Sequence, residues 1–293
     1  MGLKCRFFKI LFIHFLRLYP SENGKYWFIC DPCGIICMFL TYFLVAYGQF
    51  VSIFVILLPR PTILISILWI LFTGESILAV VSHMKAMCTD PGSMPRDTDS
   101  EESISERKEQ GEAVSYCKKC RGSKPFRAHH CSTCNRCVQR MDHHCPWINN
   151  CVGAYNQKFF VLFCFYIMMV SATGLLMCSI HFYECASTNF SDCNGLITGA
   201  PHLVIIILAV LEGLLFVLFT FIMFCSQIYA IAYDETGIER LKHEDVERET
   251  TFMESMREVF GGRVSWFWLS PFNSLQGIHY RRKPYIADDI LDV

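Results

Sequence analysis

From Ile35 to Leu58 the chain carries no charged residue, and from Thr62 to Val81 it carries only Glu75. Roughly 20 predominantly apolar residues, rising about 1.5 Å each, are what a helix needs to cross the hydrocarbon of a bilayer. Two further runs of this kind extend from Phe159 to about Tyr183 and from about Leu203 to Ala232, the second with Glu212 inside. The composition agrees, with 53% hydrophobic residues in a chain of 293 and a mean hydropathy of +0.32. The expected fold class is an α-helical integral membrane protein with four transmembrane helices in two hairpins, the first turned at Pro59 and Pro61. A long polar segment separates the hairpins.

Lys and Arg are retained on the cytoplasmic side of a membrane and set the orientation. Five precede the first run (Lys4, Arg6, Lys9, Arg17, Lys25), twelve lie in 82–158 and eight follow the fourth run, against one in the loop at 59–61 and none in 184–202. Both ends and the central segment are therefore expected in the cytosol. The resulting division is a cytosolic N-terminal segment (1–34), helices 1 and 2 (35–81), a cytosolic cysteine-rich domain (82–158), helices 3 and 4 with a lumenal loop (159–232) and a cytosolic tail (233–293). The opening "FFKILFIHFL" is too short to span and has no small-residue cleavage site after it, which predicts a helix lying in the interface. Gly2 lacks the Ser or Thr that myristoylation wants at position 6, where Arg6 stands. A net charge of −1 gives no reason to expect a nucleic-acid partner.

Seven of the seventeen cysteines fall between 117 and 151. In a reducing cytosol metal binding or catalysis explains such a cluster better than disulfides do. A shift of fourteen residues carries Cys117 onto Cys131, Cys120 onto Cys134, His130 onto His144 and Cys137 onto Cys151, so each set reads C-x2-C-x9-H-x6-C. Three thiolates and one imidazole satisfy a tetrahedral zinc ion. Two interleaved zinc ions are predicted, the first on Cys117, Cys120, His130 and Cys137, the second on Cys131, Cys134, His144 and Cys151. The segment is rich in Lys, Arg and Ser, with few large apolar residues to make a core without metal.

The metal-type residues left over are His129, His143 and Cys145. Cys145 is itself the fourteen-residue shift of Cys131, so a third set would begin there, but position 148 holds Ile148. Cys145 is left as a thiol beside His143 and Asp142. A thiolate is the nucleophile of cysteine chemistry, and an imidazole held by a carboxylate is a standard means of generating it. The expected roles are Cys145 as nucleophile, His143 as base and Asp142 as its orienter, the alternative being Cys145 as a ninth, substituting zinc ligand. A RING-like ubiquitin ligase also interleaves two zinc ions but closes on a C-x2-C pair, and after Cys151 the next cysteine is Cys164, inside a span. A nucleophilic thiol a few residues from the third span points to a substrate that is part polar and part lipid.

"KPFRAHHCSTCNRC" followed by "DHHCPWINNCVG" closely resembles the DHHC family of protein S-acyltransferases, or palmitoyltransferases. The family's Asp-Pro-Gly is present as Asp90, Pro91 and Gly92, and its Thr-Thr-x-Glu in altered form as Thr236, Gly237, Ile238 and Glu239. "DETGIE", "WFICDPCGI" and "SPF" look most like the Golgi members, which implies a Golgi membrane, with the endoplasmic reticulum as the alternative. The resemblance runs from about 27 to 245. It implies transfer of a long-chain acyl group from palmitoyl-CoA to Cys145 and from there to a cysteine of a cytosolic or membrane protein, the alternative being a silent zinc-binding scaffold. Lys124, Arg127 and His129 resemble the family's coenzyme-binding positions, and a solvated basic face near lipid headgroups is the competing explanation. Val170 resembles the site that limits acyl-chain length, eleven residues past Phe159 and so about 16 Å into the third span. A homo-oligomer is left open.

Other expectations concern single features. Glu75 and Glu212 would be costly facing lipid and should point into the bundle. Cys185 and Cys193 in the lumenal loop are a candidate disulfide, and Asn189 heads a glycosylation sequon there. In the tail a helix is expected from about Glu244 to Phe260, ended by Gly261 and Gly262, with Trp266, Phe267 and Trp268 at the interface.

Overall fold

The computed structural model describes residues 27–112, 114–188, 197–243 and 251–273. The expected interfacial helix before residue 19, Asn189 and Cys193 lie outside them. Seven helices are present among the described residues: α1 Pro32–Phe50, α2 Ile63–Cys88, α3 Glu101–Glu109, α4 Gln157–Ser187, α5 Ala200–Ala232, α6 Gly237–Lys242 and α7 Phe252–Phe260. A π-helical stretch, Val51–Leu57, continues α1. α1 with that continuation, α2, α4 and α5 are long and apolar enough to cross a membrane, and the chain is a multi-pass membrane protein. The helices overrun the apolar runs at several ends, most of all α2, which continues from Val81 to Cys88.

The chain divides into two compact units, one made of Phe39–His83 and Val161–Ile228, the other of Met1–Met38, Met84–Phe160 and Tyr229–Val293. In the first, Val51, Val55, Ile65, Phe72, Val170 and Met177 are among the buried residues of a single apolar cluster. The outer face is apolar too: Leu211, Leu215 and Leu218 of α5 are 58%, 64% and 62% exposed, as suits a surface solvated by lipid rather than water. Buried Glu75 and Ser76 are paired. Thr173 Oγ1 donates to Glu75 Oε2 at 2.9 Å, so Glu75 points inward as expected, while Gln49 Nε2 donates to Ser76 Oγ at 3.0 Å. Glu212 is only partly buried. Cys185 is disulfide-bonded.

The second unit is built on three antiparallel hairpins of one design. β1 (Val114–Cys117) pairs with β2 (Gly122–Pro125), β3 (Ala128–Cys131) with β4 (Arg136–Gln139), and β5 (His143–Cys145) with β6 (Asn150–Val152). The tip pairs are Cys117 with Gly122, Cys131 with Arg136 and Cys145 with Asn150, so the register repeats every fourteen residues through all three. Each tip turns through one left-handed residue, Arg121 (φ 51°), Asn135 (φ 54°) and Asn149 (φ 48°), at the same spacing. The third hairpin thus repeats the register although Ile148 stands where the spacing would put a second cysteine.

Asparagines fasten this unit to the helix ends inside it. Asn150 Nδ2 donates to the carbonyls of Ala86, Met87 and Thr89 at 3.0, 3.2 and 2.9 Å, and Asn156 Nδ2 adds a bond to Ala86 O. These satisfy carbonyls at the C-terminus of α2 that have no partner within the helix. Asp90 folds the next turn by accepting from the N–H groups of Gly92 and Ser93, and Gly92 O then takes the Gln139 N–H at 2.9 Å. In the tail, Thr251 and Glu254 form a reciprocal cap that starts α7 at Phe252, later than the expected Glu244, and Gly261 ends it with φ 85°. Trp266 and Phe267 are exposed, and the Lys158 ammonium donates to Phe260 O and Phe267 O at 3.4 and 3.2 Å.

Candidate active site and metal centres

The hairpin repeat explains how two four-ligand clusters arise. One cluster is Cys117, Cys120, His130 and Cys137, the other Cys131, Cys134, His144 and Cys151, each with its ligand atoms within 4.8 Å of one another. The two cysteines at the tip of one hairpin meet the cross-strand His and Cys of the next, because His130 pairs with Cys137 and His144 with Cys151. In the first cluster the three sulfurs lie 3.2 to 3.9 Å from His130 Nδ1, and in the second 3.4 to 3.7 Å from His144 Nδ1. The sulfurs of Cys120 and Cys137 are 3.7 Å apart, those of Cys134 and Cys151 3.4 Å. Both clusters could hold a metal ion, and they contain the eight residues that the spacing singles out.

The third tip has no following hairpin, and at the position of a second tip cysteine stands Ile148, fully buried. Cys145 therefore stays outside both clusters. His143 Nδ1 lies 2.7 Å from Asp142 Oδ2, and the Cys145 thiol is near enough to act on the charge of the same imidazole. Burial alone would push the His143 pKa down, but the hydrogen bond to Asp142 and the nearby Cys145 thiol outweigh it and push it up to about 9. Phe160 stands edge-on to the ring, 5.3 Å between centroids. An aligned carboxylate, imidazole and thiol are what nucleophile activation requires.

Asp142 is itself held by a group that sequence reasoning missed. Its Oδ1 accepts the backbone N–H of Gly237 at 2.6 Å. Gly237 is the first residue of α6, whose start Thr236 and Glu239 cap reciprocally. A Cβ at Gly237 would lie 3.2 Å from Asp142 Oδ1 and 3.4 Å from Asp142 O. The one position that departs from the Thr-Thr-x-Glu pattern is therefore the one whose main chain touches the acid.

The three basic residues expected around a coenzyme have different surroundings. Arg127 forms a fork on Glu239, Nε to Oε1 at 2.7 Å and a second nitrogen to Oε2 at 2.8 Å, and reaches Asp234 Oδ2 at 3.0 Å. Arg140 pairs with the other Asp234 oxygen. Burial would raise both carboxylates, but the guanidinium groups overcome it and hold Asp234 and Glu239 below the usual carboxylate range. This ion cluster joins the hairpins to the segment after α5, and neither Asp234 nor Arg140 carries a sequence signal of that role. His129 is buried with Nδ1 3.2 Å from Lys242 Nζ, and Lys124 is partly exposed on β2. Val170 is buried in the apolar cluster of the other unit.

Comparison with known proteins gives a match of residues 110–244 to the family model for DHHC palmitoyltransferase. Palmitoyltransferase ZDHHC3-A of Danio rerio is 46% identical over 260 residues, 87% of this chain and 81% of that protein. Palmitoyltransferase ZDHHC7 of Rattus norvegicus is 44% identical over 263 residues, 88% and 83% of the two chains. Palmitoyltransferase ZDHHC21 of Homo sapiens is 34% identical over 267 residues, covering 88% of this chain and 96% of its own.

Proposed function

The chain belongs to the DHHC palmitoyltransferase family, and from that premise we propose that Cys145 carries the acyl group in its S-palmitoyltransferase reaction. His143 takes the thiol proton on the ring nitrogen that Asp142 does not hold. The Cys145 thiolate attacks the thioester carbonyl of a long-chain acyl-CoA, a new thioester forms, and coenzyme A leaves as the thiol with the proton returned to it. A cysteine of a substrate protein then attacks that thioester, its own proton passing to His143, and Cys145 is released. Asp142, held by Gly237, keeps the imidazole oriented and favours its protonated form.

The observation that carries this reading is the third hairpin: the same register as the other two, with a cysteine at its tip that joins neither cluster and stands two residues from an imidazole held by Asp142. We assign zinc to both clusters. At about 2.3 Å to sulfur and 2.0–2.1 Å to nitrogen, a tetrahedral ion needs sulfurs about 3.8 Å apart and sulfur to nitrogen about 3.6 Å, close to the edges observed. Zinc there would hold the hairpins together and supply no step of the transfer. The positive-inside pattern supports cytosolic termini and a cytosolic hairpin unit, and likeness to the Golgi members supports a Golgi membrane. The five-part division of the chain and Val170 as the limit on acyl length rest on the apolar runs and on the family likeness. Of the basic residues, Arg127 is engaged by Glu239 and Asp234, which favours Lys124 as the candidate for a coenzyme phosphate.

Purified protein incubated with palmitoyl-CoA bearing an alkyne tag should acquire hydroxylamine-sensitive label at Cys145 and pass it to an added cysteine peptide. Label that is absent, or that resists hydroxylamine, would contradict the assignment.

A further inference from the structure

We propose that His181 and His202 anchor a further metal site, outside both hairpin clusters, for a divalent ion of the zinc type that clamps α4 to α5. The inference is independent of the reading of Cys145. Near the end of α4, His181 Nε2 lies 3.1 Å from Nε2 of His202, the third residue of α5. The ring centroids are 5.2 Å apart and the planes cross at 54°. Cys185, one turn after His181, brings its sulfur to 3.7 Å from the same Nε2. That edge falls inside the 3.2 to 3.9 Å between sulfurs and histidine nitrogen in the first hairpin cluster.

The donor set and its spacing suit such an ion. Imidazole is a ligand for zinc, copper and nickel. Two imidazoles on one tetrahedral ion, each at about 2.0–2.1 Å, stand about 3.3–3.4 Å apart, so the pair has to open by only a few tenths of an ångström. Binding requires the ring that donates the shared proton to change tautomer, after which both rings carry it on Nδ1. Cys185 is disulfide-bonded and offers no thiolate. The third ligand is Glu184, three residues after His181 and therefore on the same helix face. Its carboxylate meets Arg60 at 3.9 Å with both side chains partly exposed, a loose pair that a divalent ion can displace. Water completes the set.

The two rings also differ as a site requires. His181 is 4% exposed, so packing fixes it, while His202 is partly exposed and borders the way in. Ligands projecting from facing helices are how helical bundles build metal sites. A plain hydrogen bond between two neutral rings uses the same contact and takes up no metal, so the two accounts part on one observable.

Equilibrium dialysis of tag-free, full-length protein in lipid nanodiscs against micromolar Zn²⁺ measures it. Wild-type protein should gain one ion per chain over its hairpin content. His181→Gln and His202→Gln should each lose that gain while forming acyl-enzyme at the wild-type rate. Glu184→Gln should weaken it by at least the roughly tenfold that losing an outer partner of a metal ligand costs. A second measurement needs no variant: Co²⁺ added to the zinc-loaded wild type should give the weak visible bands of a nitrogen–oxygen site without the intense charge-transfer band of a thiolate one. No gain of metal in the wild type, a gain retained in either histidine variant, or cobalt bands of thiolate character would overturn the proposal. Unchanged affinity in Glu184→Gln would remove Glu184 from the site.

Discussion

The hairpins β3–β4 and β5–β6 have the same register, the same left-handed residue at the tip and the same cross-strand His and Cys, yet different chemistry. The tip of the first gives two cysteines to a metal cluster. The tip of the other gives Cys145 and, in place of a second thiol, a buried isoleucine, Ile148. A thiolate bound to a metal has its lone pairs engaged and its position fixed, whereas a thiol beside an imidazole can be ionised and can attack a carbonyl. The proposed nucleophile thus occupies the position that in the other hairpin belongs to a metal-type cluster, with Ile148 where a second cysteine would stand. Its backbone follows the register of the repeat, and of the two residues proposed to activate it His143 corresponds to His129 in the preceding hairpin while Asp142 stands where that hairpin has Ala128.

Breaking the metal-binding member should have the largest effect. Cys131→Ala removes a ligand from a cluster in a unit with little other core, and structural zinc contributes an apparent 10–16 kcal/mol in small zinc-dependent folds, so loss of roughly that order is expected to unfold the hairpins. Metal analysis and limited proteolysis should show one ion or fewer and rapid cleavage between 114 and 152. Breaking the catalytic member should instead spare the fold. His143→Ala is expected to slow acyl-enzyme formation about 10²–10⁴-fold near neutral pH. The deficit should shrink as pH rises through about 8.5, where an unassisted thiol ionises by itself; a deficit of constant depth across that range would remove His143 from the role of base.

The link between hairpins and tail comes next in size. Arg127→Ala strands Glu239, fully buried, beside Asp234, and an unpaired buried carboxylate typically costs about 3–5 kcal/mol. Both carboxylates have lowered pKa values in the folded chain, so the stability they confer is fully present above the ordinary carboxylate range of about 3.9–4.3 and is lost as pH falls below it. Thermal melting at neutral pH should show the loss directly. At Gly237 the effects should be smaller and ordered. Gly237→Pro keeps a residue tolerated at the first position of a helix but deletes the N–H that Asp142 accepts, and should lower the acylation rate by about tenfold, the scale of one hydrogen bond of about 1.4 kcal/mol. Gly237→Ala keeps the donor and only crowds Asp142 at 3.2 Å, so a change of about two- to threefold is expected. Equal effects from the two would mean that the N–H is not what matters.

What could be read from the sequence follows the same division. The residues of the two clusters that could hold a metal follow one spacing, so all eight positions and the leftover Cys145 were legible from a shift of fourteen residues. The four spans were legible because lipid demands length and apolarity together, although α2 runs on past Val81 to Cys88, where Asn150 and Asn156 take its last carbonyls. Contacts made by main chain at long range were not. Gly237 reaches Asp142 across ninety-five residues through an N–H that every residue but proline has. Arg127 reads as a cation for phosphate in a basic stretch because its partners, Asp234 and Glu239, are more than a hundred residues away. The start of α7 was written in Thr251 and Glu254, a capping box that hydrophobic periodicity alone passes over.

The most direct test of the contrast between the two tips is to remove one thiol from each and measure metal and acyl label on the same sample. Cys145→Ser should retain two zinc ions per chain, equal to wild type, while forming no hydroxylamine-sensitive acyl-enzyme with palmitoyl-CoA. Cys131→Ser should lose zinc and label together. A Cys145→Ser protein that bound less zinc than wild type, or that still formed an acyl-enzyme at the wild-type rate, would contradict the account.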